Sequence, residues 1–219
     1  MFKKLKRWIL PTACKALLLL LGPSTAVAET PPPEEENELR LESSFLESAN
    51  EERSLRTQRA MGVLGGWAVL NIGTGTAGLF LTEGEARGFH EMNLGWNVVN
   101  LAIAALGFRN ARREDPARFD AMETLQEAYL MERILLVNMG LNVAYMATGL
   151  YLRERGAGRD DARQVGWGNS LLVQGGFLLG FDTTLFLLQR RRTNEVVKEL
   201  RPRLLVNQDI RGVGFEGRF

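Results

Sequence analysis

The stretch MGVLGGWAVLNIGTGTAGLFL, Met61–Leu81, decides the fold of this chain. It carries no charged residue, and it is long enough to cross about 30 Å of hydrocarbon, which takes about 20 helical residues. A helix that is apolar on every side is buried either in a large protein core or in lipid. Its glycines weaken a helix in water, but in lipid they let neighbouring helices approach closely.

Three further segments have the same character, namely Phe89–Phe108, Tyr129–Leu152 and Val165–Leu188. A chain of 219 residues has too little mass to bury four such helices in protein. A soluble four-helix bundle would show an apolar stripe on each helix, not an apolar surface. The sequence therefore predicts an all-α fold, a four-transmembrane-helix bundle over residues 60–189.

The two halves of this bundle resemble each other when the sequence is shifted by 71 residues. Residues 61–101 then match eleven residues of the second half without a gap, including Asn71 with Asn142 and Gly95-Trp96 with Gly166-Trp167. We interpret the bundle as two repeated helical hairpins, over 61–108 and 132–188. Two hairpins of the same orientation imply a pseudo-two-fold axis along the membrane normal.

The first 28 residues have the pattern of a secretory signal peptide. A basic start, MFKKLKR, precedes the short apolar run Leu17–Leu21, and Ala26-Val27-Ala28 offers small residues for cleavage before Glu29. An uncleaved membrane anchor is the alternative. The lone cysteine, Cys14, lies inside this segment, so the mature chain would have no thiol.

Polar segments flank the bundle on both sides. Residues 29–59 open with three prolines and continue as a charged stretch that we interpret as a polar linker or a helix. Residues 190–219 form a polar tail, in which Asn194–Leu200 is helix-like and Pro202 is the predicted end of that helix.

Composition argues against several function classes. The net charge of +1 gives no field that attracts nucleic acid, so we expect no nucleic-acid partner. His90 is the single histidine, and the acidic stretch 82–91 around it lacks an ordered ligand spacing. We predict no metal site, no cofactor and no catalytic residue, because no nucleophile–base pair is evident.

Amide side chains recur near the middle of the four predicted spans. Counted at about 1.5 Å per residue from one shared end, six of them fall in one layer. In lipid they should face inward and bond one another. These amides either form hydrogen bonds between the helices or provide a binding site for a ligand or an ion. The six are Asn71, Asn97, Asn100, Asn138, Asn142 and Gln174.

One intramembrane ion pair is also predicted. Arg133 lies four residues into the third span, and Asp182 lies at a similar depth in the antiparallel fourth span. A pair is far less costly in lipid than a lone buried charge, so we expect Arg133 to bind Asp182, with Glu132 as a further candidate.

Two signals disagree about orientation. A cleaved signal peptide places residue 29 and the tail outside the cytoplasm. However, Arg190-Arg191-Arg192 follows the fourth span directly, and the positive-inside rule places such ends in the cytoplasm.

The chain resembles uncharacterised families of small bacterial inner-membrane proteins with four Asn- and Gly-rich helices. The motifs that carry the resemblance include MGVLGGWAVLN at 61–71, MNLGWNVVN at 92–100 and VNMGLN at 137–142. The resemblance implies a multi-pass protein of the bacterial inner (cytoplasmic) membrane and gives no mechanism.

Two functions follow from the sequence. The first is a structural or interaction component of the bacterial envelope, with lipid and either a protein partner or further copies of itself as partners. The alternative is a small transporter or ligand-binding membrane bundle that uses the amide layer.

Overall fold

The computed structural model describes residues 33–213, and the regular elements in this range are all helices. These are α1 (Pro33–Leu81), α2 (Gly84–Arg113), a single 3-10 turn (Pro116–Arg118), α3 (Ala121–Ala157) and α4 (Ala162–Val213). Arg40–Phe219 forms one compact unit, and the packing described below is that of its described part. The predicted signal peptide at 1–28 and the last residues of the tail lie outside the described residues.

The helices α1 and α4 extend beyond the apolar segments Met61–Leu81 and Val165–Leu188, from which they were predicted. The polar segment 29–59 is helical from Pro33, a residue whose fixed φ suits the first turn of a helix. The prediction that a helix ends at Pro202 was wrong, because α4 continues to Val213. A proline removes one backbone hydrogen bond and strains one turn, which a long helix can tolerate.

The connection between α1 and α2 is also tighter than predicted. Only Thr82 and Glu83 join the two helices, and Gly84 has a φ of +57°, a conformation that glycine adopts without a Cβ penalty. The acidic stretch that follows therefore belongs to α2. Two of its carboxylates, Glu85 and Glu91, contact α4.

Two carboxylates of α2 bind the start of α4. Asn169 donates a hydrogen bond of 2.6 Å to Glu85, and the Nε of Arg163 lies 2.6 Å from the Oε2 of Glu91. The indole N–H of Trp167 donates to the same Oε2 of Glu91 at 3.2 Å. These contacts hold the start of α2 against the start of α4.

The packed face of α3 recurs every seven residues. Ala128, Leu135, Asn142, Gly149 and Gly156 are its buried positions at this spacing. A seven-residue repeat keeps one seam of a helix against its neighbour along its whole length. At the start of α3, Asp120 and Glu123 form a reciprocal capping box that satisfies its first free N–H groups.

Contacts at the two ends of the helices establish their directions. Near the starts of α1 and α3, Asn50 donates to the hydroxyl of Thr124 at 2.9 Å, and Ser54 donates to the carbonyl of Ala111 near the end of α2. At the opposite end, Gly156 of α3 lies against Val165 of α4. Thus α1 and α3 run one way, and α2 and α4 run the other.

Three of the four helices are long and apolar enough to cross a membrane by length and composition. They are the ranges Glu36–Leu81, Ala121–Ala157 and Ala162–Arg201. The helix α2 is not among them, since the buried Asn93, Asn97 and Asn100 lower its average hydropathy.

A glycine substitution tests the close packing of α2 on α4. A Cβ at Gly166 would overlap the backbone of Glu85, Gly88 and Phe89, whereas a Cβ at Gly176 would meet no atom within 4 Å. We expect Gly166→Ala to lower the free energy of unfolding by about 1–3 kcal/mol, the usual cost of overpacking.

Thermal unfolding of the detergent-solubilised protein measures this effect, with Gly176→Ala as the matched control on the same helix. The control should unfold at the wild-type temperature or slightly above it. Equal melting temperatures for the two variants would contradict the close approach of α2 and α4.

Candidate functional site

The amide of Gln174 joins three helices at the centre of the bundle. Its Oε1 accepts from the indole N–H of Trp67 on α1 at 2.9 Å, and its Nε2 donates to Oδ1 of Asn93 on α2 at 2.5 Å. A longer contact of 3.4 Å runs from Nε2 to Oδ1 of Asn71. Gln174 is fully buried, so its amide is satisfied by protein groups.

A row of asparagines on α2 extends this network. Asn93, Asn97 and Asn100 are four and three residues apart, a spacing that places them on one face of a helix. Asn97 donates to the backbone carbonyl of Asn93 at 2.8 Å, and Asn100 donates to Oδ1 of Asn97 at 3.4 Å. Asn93 in turn donates to the carbonyl of Asn71 at 3.1 Å. The row leads from Gln174 towards a cavity.

Beside this network lies a cavity of about 470 Å³, lined by residues of all four helices. Most of its wall is apolar, with Leu64, Ile103, Leu135 and Phe181 as examples. Polar side chains enter the wall at two levels: Asn100, Asn138, Asn142 and Asp182 lie at the middle of the bundle, and Arg53, Arg56 and Gln189 lie towards the start of α1. Ligand sites are typically apolar pockets of this size with a few polar groups.

The cavity is open on the side between α2 and α3. These two helices each pack closely on α4 but make few close backbone contacts with each other. Val99 and Ile103 of α2, and Ile134 and Leu141 of α3, line the cavity and still expose 57, 52, 45 and 45% of their surface. A molecule can therefore reach the cavity sideways, between apolar side chains.

Among the described residues that line the cavity, Asp182 is the one carboxylate. It is 6% exposed, and its Oδ2 accepts a hydrogen bond of 2.7 Å from Asn142. The predicted ion pair with Arg133 is not formed within the described part of the chain, where Arg133 is exposed. Arg133 precedes the buried Leu135 by two residues, about 200° around the helix, so it lies on another side of α3, and Asp182 binds Asn142 instead.

The two arginines of the wall already have acidic partners. Arg53 lies 3.1 Å from the carboxylate of Glu114, and Arg56 lies 3.6 Å from that of Glu52. Among the charged side chains that line the cavity, Asp182 is thus the one without an oppositely charged partner in the residues that the structure describes.

The structure divides the six predicted amides into two sets. Asn71, Asn97 and Gln174 belong to the closed network, and Asn138 and Asn142 line the cavity. Asn100 belongs to both sets. The sequence reading missed Asn93 and Trp67, although the helical spacing of Asn93 from Asn97 and Asn100 was a usable signal.

Fold and site define an all-helical protein with three helices able to cross a membrane, a buried amide network and a central cavity. The chain belongs to a family of unknown function, DUF6992, whose model matches residues 63–183, more than half of the chain. This range includes parts of all four helices and the residues of the amide network. No curated protein and no solved structure matches the chain.

The role of Gln174 can be tested by exchanging its amide for an isosteric apolar group. Gln174→Leu leaves the indole N–H of Trp67 without its acceptor and removes one of the two donors to Oδ1 of Asn93. We expect a loss of about 1–3 kcal/mol in the free energy of unfolding.

Asn138→Leu is the matched control, because Asn138 lines the cavity and has no hydrogen bond within the described residues. Thermal or denaturant unfolding in detergent compares the two. A Gln174→Leu protein as stable as the Asn138→Leu protein would show that the network does not hold the helices.

Proposed function

We propose that this protein is a multi-pass membrane protein whose four helices together enclose a binding site for a small, mostly apolar molecule. The observation that carries the proposal is the cavity of about 470 Å³, with its polar groups at the middle of an apolar bundle. It favours the ligand-binding alternative over a purely structural role in the envelope, which would need no such space.

The distribution of side chains supports insertion in lipid. The fully buried side chains are mostly polar, with Asn93, Asn97 and Gln174 at 1% exposure or less. Large apolar side chains cover the outside of the same helices, among them Val63, Val69, Phe80, Leu136, Val143 and Leu187. In water this arrangement would expose apolar surface and bury amides, whereas in lipid it satisfies both.

The directions of the helices support a crossing by α2 as well. The parallel helices α1 and α3 both qualify as spans, and α2 connects the end of α1 to the start of α3. A chain that crosses twice in the same direction must return in between. The inward-facing asparagines of α2 then lie inside the bundle, where lipid does not reach them. The parallel direction of α1 and α3 also supports the proposal that the bundle consists of two repeated hairpins.

We further propose the bacterial inner membrane as the location. The support is the basic start, the short apolar run and the small residues before Glu29, which together resemble an export signal. The proposal does not fix which end faces the cytoplasm, because the three arginines at 190–192, which follow the apolar part of α4, oppose the signal peptide.

Single cysteines test the number of crossings. In a Cys14→Ser background, Glu83→Cys, Ala117→Cys and Asp160→Cys place one thiol in each connection, at exposed positions. A membrane-impermeant maleimide added to one side of sealed vesicles should label the cysteines at 83 and 160 together and spare the one at 117, or the reverse.

The result also fixes the orientation, since it shows which pair faces the cytoplasm. Labelling of positions 83 and 117 from the same side would contradict a crossing by α2 and remove the four-span arrangement.

A photoreactive probe tests whether the cavity binds. The probe is an uncharged alkyl alcohol with a diazirine in the chain and a terminal alkyne for detection. We expect saturable labelling of residues in the cavity wall, mapped by mass spectrometry of the protein in phosphatidylcholine nanodiscs.

Ile103→Trp fills the opening and should abolish saturable labelling. The matched control, Val98→Trp, places the same side chain at an exposed position of α2 outside the cavity wall and should label like the wild type. Labelling spread over the lipid-facing surface, and equal in the two variants, would contradict a binding role.

A further inference from the structure

We infer that the ligand of this cavity is an amphiphile with a single ammonium group, which enters from the bilayer and places its charge against Asp182. The inference rests on the proposed binding function and adds the chemical class of the ligand. Its support comes from the charge balance of the wall, the free acceptors around Asp182, an aromatic pair and the sideways opening.

The charge balance of the wall favours a cation. A carboxylate within a membrane bundle is costly unless an opposite charge accompanies it. Arg53 and Arg56 are engaged with Glu114 and Glu52, and Arg133 is exposed away from the cavity. Asp182 therefore lacks a counter-charge within the described residues, and a bound cation supplies one. An anionic ligand would add a second negative charge beside it.

The polar groups of the cavity wall suit an ammonium ion, which offers three donors and no acceptor. Asn142 donates to Oδ2 of Asp182, which leaves Oδ1 without a protein donor in the described structure. The amide nitrogen of Asn100 is directed to Asn97, so its oxygen remains as an acceptor. Asn138 completes the polar side of the wall without a hydrogen bond of its own in the described residues.

An aromatic pair also lines the cavity. Trp96 of α2 and Tyr145 of α3 meet edge to face, with ring centroids 4.6 Å apart, and both belong to the wall. Ring faces attract organic cations, and the attraction grows when water is excluded. This contact also bridges the two helices that are otherwise separated, so it lies beside the opening.

Size and access favour an organic cation over a metal ion. A space of about 470 Å³ is that of a small-molecule site, and its wall is mostly aliphatic and aromatic. Hard metal cations instead require six or more oxygen ligands or retained water. The opening between Val99 and Ile103 on one side and Ile134 and Leu141 on the other faces the lipid in the proposed bundle, and an alkyl chain can lie in it.

The test compares probes that differ only in the head group. The uncharged alcohol probe described above is paired with a primary amine and a carboxylic acid of the same chain, each carrying the same diazirine and alkyne. Labelling of the cavity wall is titrated in phosphatidylcholine nanodiscs for the wild type, Asp182→Asn and Asp182→Glu, and thermal unfolding confirms that each variant folds.

In the wild type the amine should half-saturate at a concentration about tenfold below that of the alcohol, the ratio that one charge-assisted hydrogen bond supplies. The acid should bind more weakly than the alcohol. Asp182→Asn should bring the half-saturating concentrations of the amine and the alcohol together, because the carboxylate charge is lost while Asn142 can still donate to the new amide oxygen. Asp182→Glu should retain the advantage.

Two results would overturn the inference while the binding function stands. One is saturable labelling of the wall by the alcohol with no preference for the amine in the wild type. The other is an amine preference that persists in Asp182→Asn, which assigns it to partition into the bilayer. The wild-type comparison remains decisive if Asp182→Asn does not fold. Absence of saturable labelling by all three probes would overturn the binding function itself.

Discussion

The hydrogen bonds of the Gln174 amide are the interaction on which the rest of the structure depends. In a hydrocarbon layer no water is available to satisfy a buried amide, so its partners must come from other helices. Gln174 finds them on α1 and α2, at Trp67 and Asn93. These bonds fix the rotation and the height of α4 relative to two neighbours, because a shift of one residue would separate donor from acceptor.

The position of the network explains where the cavity forms. The asparagine row of α2 turns towards α1 and α4, and α3 packs on α4 through its own seven-residue seam. Neither set of contacts draws α2 and α3 together, so a space remains between them. Asn138, Asn142 and Asp182 face that space instead of the closed network. A single bundle thus combines a rigid polar centre with an open, mainly apolar site.

The sequence predicted the four helices well and the directions of their side chains poorly. Residue counting at a nearly constant helical rise predicted one layer of amides, whereas the structure divides them between the network and the cavity wall. The direction in which a side chain points depends on which face of its helix is buried, and the neighbouring helices determine that face. Arg133 shows the difference, since it is exposed, and Asp182 binds Asn142 on α3 instead. The polar extensions of α1 and α4 were equally hard to predict, because charged helices and charged linkers have similar compositions.

The most direct measurement is a double-mutant cycle between Gln174 and Asn93, from the unfolding free energies of Gln174→Leu, Asn93→Leu and the combined variant in detergent. The 2.5 Å contact between their amides predicts a coupling of about 0.6 kcal/mol or more, so the combined variant should cost clearly less than the two single losses together. Strictly additive losses would contradict the account, because the two amides would then stabilise the bundle independently.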